Sequence, residues 1–194
     1  MIPEVETARH HVTVVWPREQ PVLVDDVVLL RGVTAADADA TFRACQDPDI
    51  AHFTQVPVPY LRSSADDFVA LCAQWWQDEV TANFAVCDRT SGDFLGVMGV
   101  IEADHQRGTA GFGYWTAPWG RGRHVTSRAA RLATDWALGP GALRTLTAEV
   151  EIANPASMRV LVHAGFSRLD VPDELIELKG STRQFTFWQA STDS

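Results

Sequence analysis

The sequence predicts a single-domain α+β fold in which helices flank a mixed, mainly antiparallel sheet. Strand-like runs at 83–87 and 94–101 are joined by the turn-forming residues 90–93, which predicts a β-hairpin. A third strand-like run at 109–116 extends this hairpin, and segments with helix-capping residues lie on both sides of it. The length of 194 residues and the 46% hydrophobic content are typical of one globular domain.

The elements that precede the hairpin are one strand and two helices. A strand at 27–31 is followed by Thr34 and Asp37, which can cap a helix that continues to about Cys45. Three prolines at 48, 57 and 59 are expected to break the next segment. Ser63 or Ser64 then caps a second helix, and its predicted inward face holds Phe68, Leu71, Cys72 and Trp75.

The elements that follow the hairpin alternate between helix and strand. A helix at 126–138 ends at Gly139-Pro140, and a strand is expected at 143–150. Asn154 and Pro155 start a further helix that ends at Gly165 and has Met158, Leu161 and Val162 on its inward face. Alternating segments at 174–178 and 184–188 predict a last strand or hairpin. We expect residues 1–22 to form an N-terminal arm and residues 23–190 to form the domain.

Charge and cysteine content exclude several classes of protein. The net charge of −9 disfavours a nucleic-acid partner, which needs a basic surface, and mildly favours a cationic substrate. No apolar stretch approaches the ~20 residues of a membrane span. The residues before Pro21 do not resemble a signal peptide. Three cysteines without a C-x-x-C spacing indicate neither a disulfide framework nor a metal site, so we expect a cytoplasmic protein.

Two stretches of the sequence carry the expected chemistry. Residues 119–127 form an Arg- and Gly-rich loop that runs from a strand into the start of a helix. Unpaired backbone N–H groups at such a helix start can bind a diphosphate. The alternative interpretation is a flexible, soluble connection. The second stretch is Asn154-Pro155-Ala156-Ser157, which also starts a helix for purely structural reasons.

Taken together, these stretches resemble the GNAT superfamily of N-acetyltransferases, and within it the RimJ/RimL-like branch. The resemblance covers residues 23–188. It rests on Gly113-Tyr114-Trp115 with Ala117-Pro118-Trp119, on the Arg-Gly loop with its helix, and on Asn154–Ser157 with Ala164-Gly165-Phe166. It implies a GNAT-like three-layer fold and acetyl-CoA as co-substrate, and it leaves a homodimer as an open alternative.

The resemblance also implies positions for the parts of acetyl-CoA. The pantetheine lies beside the strand that ends at Trp115 and Thr116, and Asn154 and Ser157 lie near the thioester. The pyrophosphate lies on a loop whose residues are Arg121, Gly122, Arg123, His124, Val125, Thr126 and Ser127. The chain departs from the family pattern at His124 and Thr126, which replace small residues, and at Gly111, where many members of the branch have a glutamate.

Acetyl transfer needs a base, because an amine acceptor is protonated at neutral pH. With glycine at 111, the nearest candidate bases in sequence are Glu102, Asp104 and His105, and each can equally be a solvated loop residue. Glu149 and Glu151 are weaker candidates, since strand alternation is expected to turn them outward. Ser157 is the expected proton donor to the leaving thiolate. A backbone N–H near Trp115 or Thr116 is expected to stabilise the oxyanion.

The sequence therefore predicts transfer of an acetyl group to a primary amine of a small molecule or of a peptide or protein N-terminus. A second hypothesis follows from the altered loop and the missing glutamate. It describes a non-catalytic acyl-CoA-binding or interaction module.

Overall fold

The computed structural model describes residues 16–192, which form nine strands and five α-helices. The strands are β1 Leu23–Val24, β2 Val28–Gly32, β3 Ala82–Asp88, β4 Phe94–Asp104, β5 Thr109–Thr116, β6 Thr145–Glu151, β7 Ser167–Arg168, β8 Glu174–Leu178 and β9 Ser181–Ser191. The helices are α1 Ala38–Ala44, α2 Pro48–Phe53, α3 Arg62–Gln77, α4 Val125–Leu138 and α5 Pro155–His163. Short 3-10 turns precede α1 and follow β5.

All nine strands belong to one sheet with the order β1-β2-β3-β4-β5-β6-β9-β7, and β8 pairs with β9 beside this path. Every pairing is antiparallel except that of β5 with β6. The consecutive antiparallel strands β3, β4 and β5 confirm the hairpin that the turn residues predict. The predicted α+β architecture with a mixed, mainly antiparallel sheet is confirmed.

Helices cover both faces of the sheet and create three layers. On one face, α4 and α5 contribute Ala129, Trp136 and Leu161 to the main core, together with sheet residues such as Phe84 and Met98. On the other face, α1 and α3 pack Ala38, Val69 and Cys72 against Ala85 and Val97. We call these the α4/α5 face and the α1/α3 face. No helix between residues 16 and 192 has the length and apolar character needed to cross a bilayer.

The buried faces of two helices differ from those that the sequence predicts. In α3 the buried residues are Ala65, Val69, Cys72 and Trp76, whereas Leu71 is 43% exposed. In α5 Leu161 is fully buried, but Val162 is 57% exposed. In each helix, one apolar residue of the predicted inward face therefore lies at the edge of the buried surface and faces solvent.

The helix α2 differs from the prediction that Pro48 breaks this segment. Proline is favoured at the first position of a helix, where its missing N–H is not needed. Asp47 caps this helix, since its Oδ1 accepts hydrogen bonds from the N–H groups of Asp49 and Ile50. The Asp-Pro pair therefore starts a helix here, and this helix contributes to the site described below.

One residue of the predicted N-terminal arm, Trp16, belongs to the core, whereas residues 17–19 and Val22 are exposed. Trp16 is 3% exposed and stacks on Trp76 with a centroid distance of 4.9 Å. Its indole N–H donates to the carbonyl of Gly141. Residues 1–15 lie outside the described residues, so an arm over 1–22 stays a prediction.

Candidate functional site

A cleft opens between β5 and β6, the only parallel pair of strands in the described sheet. The two strands pair over just three positions, from Thr109 with Thr145 to Gly111 with Thr147. Beyond these positions β6 continues along β9 to Glu151, while β5 continues along β4 to Thr116. One edge of β5 after Gly111 is therefore left without a strand partner, and its backbone groups can bind a ligand in extended conformation.

The start of α4 lies directly beyond the end of β5 and has free hydrogen-bond donors. The backbone N–H groups of residues 124–127 make no hydrogen bond to another described residue. Thr116 Oγ1 lies 2.6 Å from Thr126 Oγ1, and this bond fixes the first turn of α4 to the end of β5. The positive end of the helix dipole thus lies at the mouth of the cleft, which favours an anion there.

Two residues in the loop before α4 have a left-handed backbone. Gly122 has φ 75°, a conformation for which glycine is suited. His124 has φ 57° and ψ 12° and occupies the N-cap position without a capping side-chain bond. Its side chain is exposed. The family has a small residue at the position of His124. The left-handed conformation observed here explains that preference, because it is unfavourable for a residue with a Cβ.

The two loop arginines already contact carboxylates of other elements. Arg121 binds Asp47 at 2.6 Å and Asp49 at 3.2 Å, and Arg123 binds Asp88 at the end of β3. Burial alone would raise the pKa of Asp47, but the Arg121 guanidinium and the backbone N–H groups of α2 outweigh it and lower the pKa. A bound diphosphate would therefore share or take over the bonds of these arginines.

A hydrogen-bonded pair, Tyr114 and Ser157, joins the two sides of the cleft. The Tyr114 hydroxyl lies 2.9 Å from Ser157 Oγ and donates to the Ser157 carbonyl at 3.0 Å. Ser157 is held in turn by Asn154, whose Oδ1 accepts from the Ser157 N–H and caps α5. Burial raises the pKa of Tyr114, so this hydroxyl stays protonated. Tyr114 is not among the site residues that the sequence predicts, although a buried tyrosine hydroxyl needs a partner.

Helix α2 covers the mouth of the cleft on the α1/α3 face. Its Ile50 packs in a cluster with Ala117, which follows β5, and with the half-buried Trp115. Its His52 reaches β6, since His52 Nε2 lies 3.2 Å from Glu151 Oε2. The Glu151 side chain is only 12% exposed and also contacts Arg183 of β9 at 3.4 Å. One short helix thus connects both strands that form the cleft.

The two glutamates of β6 belong to the same face as α2. Leu146, Ala148 and Val150 point into the main core, so alternation places Glu149 and Glu151 on the α1/α3 face. The prediction that these side chains turn outward is wrong for Glu151, which His52 and Arg183 enclose. The Glu149 side chain is exposed and forms no hydrogen bond or ion pair within residues 16–192, although its backbone pairs with β9.

Two of the three candidate bases, Asp104 and His105, lie away from the mouth of the cleft. Asp104 pairs with Thr109 at the opposite end of β5 from Thr116, and its Oδ1 accepts from two turn N–H groups. His105 Nε2 bonds the Glu79 carbonyl at 2.8 Å, and its ring stands edge-on to Trp16. Glu102 is exposed in the bulge of β4, near Gly111, and its part in catalysis stays a prediction.

Gly111 leaves space at the position where many RimJ/RimL-like proteins have a glutamate. A Cβ built there would meet only Ile101, at 3.4 Å and beyond, which is ordinary contact. The glycine is therefore not required by crowding. The arrangement differs at Gly113, where the Ile101 side chain would come within 3.0 Å of a Cβ.

A groove of about 870 Å³ lies beside His52, and residues 48–58 and 178–183 line it. We call it the α2–hairpin groove, because its walls are α2 with the following loop and the turn of the β8–β9 hairpin. Lys179 in this turn donates to the carbonyls of Ala51 at 2.6 Å and Val56 at 2.5 Å. The volume is in the range of small-molecule and peptide sites.

Comparison with known proteins agrees with this geometry. The model of the acetyltransferase (GNAT) domain matches residues 28–167, well over half of the chain. The chain belongs to the GNAT acetyltransferase family. It is accordingly an acyl-CoA-dependent N-acetyltransferase with acetyl-CoA as co-substrate. No curated protein matches the chain in sequence at a significant level.

Solved structures of GNAT enzymes share its fold at low sequence identity. Mycobacterium smegmatis RimJ, solved with a CoA disulfide, has a TM-score of 0.80 and 20% identity over 92% of this chain and 90% of that chain. RimL, the ribosomal L7/L12 α-N-protein acetyltransferase, has a TM-score of 0.80 and 14% identity over 89% and 99%. Vibrio cholerae spermidine N-acetyltransferase, solved with CoA and spermine, has a TM-score of 0.74 and 18% identity over 87% and 98%.

Proposed function

We propose that the chain acetylates a primary amine of a small molecule or of a peptide or protein N-terminus, and that His52 removes the amine proton. The observation that carries this proposal is the 3.2 Å contact of His52 with Glu151 at the mouth of the cleft. Glu151 can hold the imidazole by accepting from Nε2–H, which leaves Nδ1 as the proton acceptor. Glu151 is then a positioning residue.

The α4/α5 face supports the binding of acetyl-CoA. The free N–H groups of residues 124–127 and the side chains of Arg121 and Arg123 would hold the pyrophosphate. The pantetheine would follow the unpaired edge of β5 past Trp115, with Asn154 and Ser157 at the start of α5 beside it. The thioester would then lie within the cleft, and the amine would approach it from the α1/α3 face.

The reaction needs one proton acceptor and one proton donor. The amine loses a proton to His52 and attacks the thioester carbonyl, and a backbone N–H of β5 stabilises the oxyanion. The C–S bond then breaks as the tetrahedral intermediate collapses, and the thiolate takes a proton from the Ser157–Tyr114 pair. The buried thiols do not compete as nucleophiles, because burial raises the pKa of Cys45 and Cys72 to about 12.

Conservative variants test the assignment of the base. We expect His52→Gln to lower kcat by about 10²–10⁴-fold, the usual contribution of a general base, and Glu151→Gln to lower it less. Matched variants at the other candidates are Glu102→Gln, Asp104→Asn, His105→Ala and Glu149→Gln. Full turnover in His52→Gln, with turnover lost in one of these four, would move the base to that residue.

A binding measurement separates catalysis from the hypothesis of a non-catalytic module. Acetyl-CoA at 100 times its dissociation constant should stabilise the fold by about 2.7 kcal/mol, measured as a thermal shift. Thiol release with an amine panel then reports transfer itself. Stabilisation without thiol release on any amine would favour the binding module.

We also propose a cytoplasmic location. The three thiols of the chain are buried in the fold and suit a reducing compartment. A homodimer remains the alternative to a monomer, and sedimentation in the presence of acetyl-CoA distinguishes the two states.

A further inference from the structure

The charged side chains that line the α2–hairpin groove are all basic. Lys179 and Arg183 line it together with His52, and no carboxylate is among its lining residues. Glu151 lies beneath this surface, where it contacts Arg183 and His52. The local charge of the groove is therefore opposite in sign to the net charge of −9 of the whole chain.

Lys179 retains binding capacity in this arrangement. Its ammonium group donates to two backbone carbonyls, of Ala51 and Val56, but has three N–H bonds. No carboxylate lies within ion-pair distance of it among residues 16–192. Burial and the neighbouring Arg183 lower the pKa of Lys179. A bound anion would compensate the charge of this ammonium group.

Arg183 likewise has N–H donors without a described partner. Only its Nη1 bonds described partners, the carbonyl of His52 at 2.6 Å and Glu151 at 3.4 Å. A guanidinium has five N–H donors in a planar fork that matches the oxygens of a carboxylate or phosphate. The remaining donors belong to a side chain that lines the groove next to Lys179.

We propose that Lys179 and Arg183 bind an oxyanion of the acceptor, so that the preferred substrate is an amine that also carries a carboxylate or phosphate group. This inference rests on the proposed function and names its substrate class. The net charge of the chain favours a cationic acceptor, whereas the groove favours an anionic one. We give the groove more weight, because a substrate contacts these charges directly, while the effect of distant charges is screened by salt.

Three amidated tripeptides test the inference, because they differ only in the second residue: Ser-Asp-Gly, Ser-Asn-Gly and Ser-Lys-Gly. We expect kcat/KM to be at least about 10-fold higher for the Asp peptide than for the Lys peptide, since like charges across a contact are strongly unfavourable. Phosphoethanolamine compared with ethanolamine tests phosphate as the source of the anion. A wild-type preference for the neutral or basic member of both series would overturn the inference.

Variants at Lys179 assign the preference to the groove. Lys179→Gln keeps donors for the Ala51 and Val56 carbonyls but removes the charge, and it should abolish most of the preference. Lys179→Glu should reverse it. Arg18→Glu makes the same change of charge in a residue outside the groove and should leave the preference intact. Equal preferences in wild type and Lys179→Gln would contradict the inference.

A binding readout keeps this test separate from the test of catalysis. Calorimetry with the CoA-bound protein measures the affinity for each of the same peptides in the absence of turnover. Tighter binding of the acidic peptide supports the inference even if no peptide is acetylated, a result that would count only against the proposed function. Binding that is independent of the second residue would count against the inference even if turnover is high.

Discussion

His124 is the residue at which this chain departs most visibly from its family. Its φ of 57° costs a residue with a Cβ roughly 1–2 kcal/mol, and the adjacent N–H groups are free. The exposed imidazole stands beside the proposed pyrophosphate position. We expect its ring N–H to donate to the bound anion and so to compensate for the backbone cost.

Replacement of His124 by glycine tests this compensation. We expect His124→Gly to raise the free energy of unfolding of the CoA-free protein by up to ~1 kcal/mol. We expect it to weaken CoA binding by about fivefold, because it removes an imidazole N–H that can donate a hydrogen bond to the pyrophosphate. Urea unfolding and calorimetry measure the two effects. Tighter CoA binding by the glycine variant would show that His124 is an obstruction.

Helix α2 connects the two proposed substrate positions. Asp47 caps this helix and binds Arg121 of the loop before α4, while His52 at its other end contacts Glu151. If the pyrophosphate takes over Arg121, Asp47 loses its ion pair but keeps its capping bonds. We therefore expect the position of α2 to depend on whether CoA is bound.

Removal of the charge of Asp47 should free Arg121 for the cofactor. Asparagine is as good an N-cap as aspartate, so Asp47→Asn should leave stability nearly unchanged while it tightens CoA binding by about threefold. Asp47→Ala should give the same gain in affinity but lose about 1 kcal/mol of stability. In an Arg121→Gln background the gain should vanish. A gain that persists in that background would mean that Asp47 acts on CoA directly.

At the scale of the whole molecule, the buried pair of Arg31 and Asp37 makes stability depend on pH. Burial alone would raise the pKa of Asp37, but two bonds of 2.8 Å from Arg31 and those from Thr34 outweigh it and lower the pKa. Because the pKa of Asp37 is lower in the folded state, its ionised carboxylate stabilises the fold fully above pH 3.8, the ordinary pKa. This contribution to the free energy of unfolding is lost as the pH falls below 3.8.

We expect Asp37→Asn to lower the free energy of unfolding at pH 7 by about 2 kcal/mol, the value of bonds to a charged group. The difference from wild type should be the same at pH 5 and should shrink at pH 3. Urea unfolding at the three pH values measures it. Asp66→Asn, in an exposed pair with Arg62, serves as the control and should change little at any pH. A difference that grows toward pH 3 would contradict the assignment.

Much of the fold could be predicted from the sequence, because local chemistry determines it. The turn at 90–93, the Asn154 cap and the alternation of β6 each depend on neighbouring residues. The His52–Glu151 contact could not be predicted, because it joins distant segments through a helix that begins at a proline. Tyr114 belongs to the Gly-Tyr-Trp motif, but only the packing of α5 on β5 shows that its hydroxyl contacts Ser157.

The groove has a further consequence, because Lys179 is the only lysine among the 16 Lys and Arg residues of the chain. Guanidinium groups stay protonated and do not react with thioesters at neutral pH. A lysine ε-amine that has lost its proton does react with a thioester. The surface of this enzyme therefore presents one side-chain amine to its own co-substrate. Self-acetylation of side chains is confined to a single position, where it would remove the charge that we assign to acceptor recognition.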